Sequence, residues 1–74
     1  MKYKSGDVVS IGNDLCLLYA NWNFETNKYE LSNLVLSSKM TRKGGLIGEE
    51  LIDVIKNKEV VFNLAEVLDK IINE

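Results

Sequence analysis

The sequence has no histidine, no proline and no glutamine, and only one cysteine among its 74 residues. Without histidine there is no Ser-His-Asp or Cys-His arrangement, no imidazole general base and no imidazole ligand for zinc, so the commonest catalytic constellations are excluded. Cys16 has no partner for an intramolecular disulfide, and none of the eight asparagines begins an Asn-X-Ser/Thr sequon; both features fit a reducing compartment. No apolar run approaches the roughly 18 residues that cross a bilayer, and Met1-Lys2-Tyr3-Lys4-Ser5-Gly6-Asp7 lacks the apolar core of a signal peptide. The expectation is a cytoplasmic protein, not an enzyme, that needs no cofactor and no membrane. The missing residue types, beside abundant Lys, Asn, Ile and Leu, match the codon bias of an AT-rich bacterial or phage genome.

What is present is ordinary for a folded chain: 46% hydrophobic and 27% charged residues. One domain spanning residues 1–74 is expected, and a chain this short buries only about 60% of its unfolded surface, so its core is marginal. The net charge of −2 hides an asymmetry, because residues 1–43 carry six Lys/Arg against four Asp/Glu while 44–74 carry three against seven. That division predicts a dipolar surface. A sequence pI near 5.1 is low for a domain that lives on nucleic acid.

Residues 14–36 hold the strongest structural signal, two aromatic and β-branched runs around the polar turn Glu25-Thr26-Asn27-Lys28. They predict a long β-hairpin. Pairing Phe24 with Tyr29 sets Trp22 opposite Leu31, Ala20 opposite Asn33 and Leu18 opposite Val35 on one face, with Tyr19 opposite Leu34 and Leu17 opposite Leu36 on the other. In this register the end far from the turn is apolar on both faces and needs cover on both sides.

The rest of the chain supplies shorter elements. Residues 7–11 read as a strand leading through Gly12-Asn13-Asp14 into the hairpin, 37–45 as a polar, basic loop ending in a flexible Gly pair, and 60–62 as a brief strand. Over 48–57, Ile47, Leu51 and Ile55 share a face at i, i+4, i+8 and Glu49 and Glu50 suit an N-terminus, so a short helix is preferred to a strand. The last element is the clearest helix: Asn63 can cap it, Glu66 stands three residues on, and Leu64, Val67, Leu68, Ile71 and Ile72 form one apolar stripe opposite Asp69, Lys70, Asn73 and Glu74. Such a stripe should lie on the sheet.

Three sets of side chains invite a chemical reading. Cys16 alternates with apolar residues and reads as a small buried hydrophobe, and Glu49, Glu50 and Asp53 read as solvated helix surface, since no cation-loop spacing accompanies them. Lys39, Arg42 and Lys43, followed by Gly44 and Gly45, are the only basic cluster; such a loop can contact phosphate or an acidic partner. Tyr19, Trp22, Phe24 and Tyr29 are either core or, where the last helix leaves them open, an aromatic binding surface.

The order of strand, turn, long hairpin and later strand, carried by Gly6-Asp7-Val8-Val9 and the 14–36 hairpin, resembles a small SH3-like barrel with an added C-terminal helix. The resemblance implies an α+β fold with a strongly bent antiparallel sheet of four or five strands. Barrels of this kind bind proteins, peptides or nucleic acids. The expected function is a small non-catalytic protein-interaction or inhibitor module of bacterial or phage origin, with Tyr19, Trp22, Phe24 and Tyr29 facing its partner. The alternatives are nucleic-acid binding through the basic loop at 39–43, or a homo-oligomeric structural subunit.

Overall fold

The computed structural model describes residues 3–37 and 39–73. Ser38 of the basic loop, Glu74 of the last helix, and Met1 and Lys2 lie outside the described residues. The chain is α+β, running β1 (Asp7–Ile11), β2 (Asp14–Asn23), β3 (Lys28–Val35), β4 (Arg42–Lys43), α1 (Gly48–Ile55), β5 (Val60–Asn63) and α2 (Leu64–Asn73). The five strands form one antiparallel sheet in the order β4-β3-β2-β1-β5. It does not close on itself, so the SH3-like barrel is not what forms. Among the described residues no helix is long and apolar enough to cross a membrane.

The long hairpin forms, with its register displaced by two residues. Trp22 pairs with Tyr29, Ala20 with Leu31, Leu18 with Asn33 and Cys16 with Val35. The turn decides this. Asn23 accepts the backbone N–H of Glu25 on its side-chain oxygen at 2.9 Å, its carbonyl accepts from the N–H of Asn27 at 2.8 Å, and Asn27 takes a left-handed φ of 55°. Asparagine is one of the few non-glycine residues that tolerates that conformation. The loop therefore spans Phe24 to Asn27, and Phe24 leaves the ladder. A shift of two residues keeps every side chain on its expected face.

One face of the sheet holds the core. Leu51 and Ile55 of α1 pack on Val9, Cys16, Leu18 and Val35, with Tyr3, Leu31 and Leu46 partly buried around them. The helix expected over 48–57 thus forms, and two members of its predicted stripe are fully buried, while Ile47 precedes it in extended backbone. Asn33 lies on this same face, buried, and is satisfied by the crossing segment: its side-chain amide donates to the carbonyl of Leu46 at 2.9 Å, and Gly44 N–H donates to its backbone carbonyl at 2.9 Å. A Cβ on Gly44 would fall 1.9 Å from the Asn33 side-chain oxygen. The glycine is there for close approach, so the flexible Gly pair is a fixed crossing.

On the other face Val8 is fully buried, but Leu17 and Leu34, which pair directly, are only half-buried. The double cover expected at the far end is therefore partial.

The last helix is capped as expected, since the Asn63 side-chain oxygen accepts from Glu66 N–H at 2.9 Å. Its junction is a buried polar hub. Asp7 accepts from the Asn63 side-chain amide at 2.8 Å and from Lys4 N–H at 2.8 Å, and Leu64 N–H donates to the Gly6 carbonyl at 2.7 Å. Glu66 does not complete a capping box; it pairs with Lys4, and that hydrogen bond, helped by the charge, raises the lysine pKa. The predicted packing of the α2 stripe on the sheet does not occur: no α2 residue is buried. Because α2 follows β5 without a connecting residue, at the sheet edge, the junction sets its direction, and α1 already occupies the apolar face.

Candidate functional site

Toward its turn, beside the start of α1, the core face of the hairpin is left partly open. There the Trp22–Tyr29 pair stands at a ring-centroid distance of 5.0 Å and 75°, and Phe24 meets Trp22 at 6.5 Å and 81°. Both are edge-to-face contacts, the geometry aromatic quadrupoles favour. Trp22 is 38% exposed, Tyr29 69% and Phe24 83%. Those values separate this cluster from the core, and the main contacts of α2 are with β1 and β5. Tyr19 does not join the cluster. It pairs with Ser32 and is among the residues lining a neighbouring hollow with Leu18 and Ala20.

The cluster borders a groove of about 370 Å³ between β3 and the start of α1, with Tyr29, Leu31 and Ile52 as apolar walls and Lys28, Glu30 and Glu49 as its charged rim. A second hollow of about 220 Å³ adjoins it through the shared Leu31 and runs past Ala20 to Tyr3. Both hollows are mainly apolar with polar edges, surfaces that side chains of a partner can fill. The sequence reading missed Leu31 and Ile52. Ile52 lies one residue outside the Leu51/Ile55 stripe, and an apolar residue off the buried stripe was the signal.

Against protein-family models, curated proteins and solved structures, the chain finds no match. Geometry alone carries the functional reading.

Two of the three basic residues diverge. Arg42 and Lys43 are consecutive in β4, paired with Val35 and Leu34, so their side chains leave opposite faces of the sheet. The Arg42 guanidinium stands 3.7 Å from the Asp14 carboxylate. Lys39 is exposed on the preceding bend. Cys16 is buried, and burial pushes its thiol pKa up, with Asp14 adding to the effect. A raised pKa keeps the thiol protonated and poorly nucleophilic.

Proposed function

We propose that the protein is a non-catalytic protein-interaction module, an adaptor or inhibitor, and that its partner docks on the open turn end of the hairpin. The observation carrying this reading is the exposed, mutually ordered cluster of Trp22, Phe24 and Tyr29 beside an apolar groove. Burying such residues against a partner supplies the largest apolar contact per side chain at small rotamer cost, and binding hot spots are enriched in Trp and Tyr for that reason. Lys28, Glu30 and Glu49 form the polar rim that fixes orientation. Arg42 and Lys43, which leave opposite faces of β4, offer a nucleic-acid partner a less continuous surface.

The test compares affinity capture by the wild-type chain and by the Trp22→Ala/Tyr29→Ala variant. The double variant is expected to lose the captured partner, by at least about tenfold in affinity, while its circular dichroism and thermal midpoint stay close to wild type. A variant that binds the same partner undiminished but unfolds more easily would show that these aromatics serve the fold.

A further inference from the structure

Val67, Leu68, Ile71 and Ile72 of α2 are uncovered, and the exposure rises along the helix from 39% at Val67 to 76% at Ile72. A ten-residue helix has little stability of its own in water, and among the described residues the Asn63 cap, the Gly6 carbonyl and Lys4 tie this one down at its first turn. Beside it, β5 forms one edge of the sheet, with Val60 and Val61 also exposed. We propose that this α2–β5 face is the two-fold interface of a homodimer.

Four observations select a second copy as the occupant. The first is area. These six side chains expose on the order of 500 Å² together, so two copies meeting on them would bury on the order of 1,000 Å², the lower end of a specific interface.

The second is the contrast between the two sheet edges. β4 is two residues long and carries Arg42 and Lys43, the short, charged form that blocks edge pairing, whereas Val60-Val61-Phe62 at the other edge has no charge and only the register shift at Val61 interrupts it. A strand edge that meets its own copy across a two-fold axis runs antiparallel to it, which matches the pairing throughout this sheet, and such an isologous contact closes after two chains. The third is charge. Residues 56–74 carry Lys56, Lys58 and Lys70 against Glu59, Glu66, Asp69 and Glu74, so two copies of this segment meet with little net repulsion. The fourth is permanence: the bare stripe and the small core need cover whenever the chain is folded, and another copy of the same chain is always at hand.

Light scattering and sedimentation of the full chain over a range of concentrations provide the test. The expected mass is twice the 8.4 kDa chain. Leu68→Glu/Ile72→Glu should weaken dimerisation at least about tenfold and leave the strand signal intact, since both residues are exposed in the single chain. Trp22→Ala/Tyr29→Ala should remain a dimer, which separates this interface from the proposed partner site. A wild-type chain that stays at 8.4 kDa at all concentrations overturns the proposal, as does a dimer undiminished by the α2 double variant. Should that variant fail to fold, Val61→Lys on the β5 edge decides: a monomer supports the interface, and a dimer overturns it.

Discussion

Asn33 and Gly44 form a pair in which each residue makes sense only through the other. A carboxamide on an apolar face costs free energy unless its hydrogen bonds are made, and here the crossing segment makes them, which requires backbone without a side chain directly above the Asn33 amide. Gly44→Ala should therefore cost about 1–3 kcal/mol through forced displacement of the segment. Gly45, where an added Cβ would meet nothing within 4 Å, should accept alanine within about 0.5 kcal/mol. Urea unfolding of the two variants measures the difference, and equal effects would remove the close-approach account. In the sequence the two glycines are indistinguishable. What separates them is a contact with a residue eleven positions earlier, and no local pattern encodes that distance.

The β2–β3 hairpin shows what alternation conveys and where it stops. Period-two patterning places Trp22, Tyr29, Leu18 and Val35 on one face, and the structure agrees, so the candidate site was largely legible. The register was not, because it depends on which asparagine adopts the left-handed turn and which one caps it, a choice made among Asn23, Asn27 and their neighbours by backbone geometry. Phe24 lies in the loop and not in the strand as a result. Asn27→Gly should leave stability unchanged or slightly raised, whereas Asn27→Ala should lower it by about 1 kcal/mol, the cost of a left-handed conformation for a side chain without the local polar contact. Thermal unfolding of the two variants checks the order, and an alanine variant as stable as the glycine one would contradict it. The α2 stripe was equally legible as a pattern, but amphipathicity states only that a helix needs a surface. It does not say that the surface belongs to the same chain.

At the scale of the molecule the proportions explain why two surfaces remain open. A compact chain of this length has a radius of gyration near 11 Å, while this one measures 12.8 Å and extends 42 Å along its longest axis against 27 Å across. The turn end of the hairpin keeps exposed aromatics beside the start of α1, and α2 takes its direction from the sheet edge. The core itself comprises Val8, Val9, Cys16, Leu18, Val35, Leu51 and Ile55, a small set on which to balance conformational entropy. Local stability should follow the same division. Backbone amides of β1, the middle of β2 and β3, and α1 should exchange slowest with solvent, and those in the last two turns of α2 fastest, because no buried contact opposes their opening. If the α2–β5 face closes against a second copy, α2 protection should rise as protein concentration is raised across the association range, while protection in the β2–β3 core changes far less. Hydrogen exchange at two concentrations separates the cases, since α2 amides that are strongly protected even in dilute, monomeric solution would mean that the helix is held by its own chain.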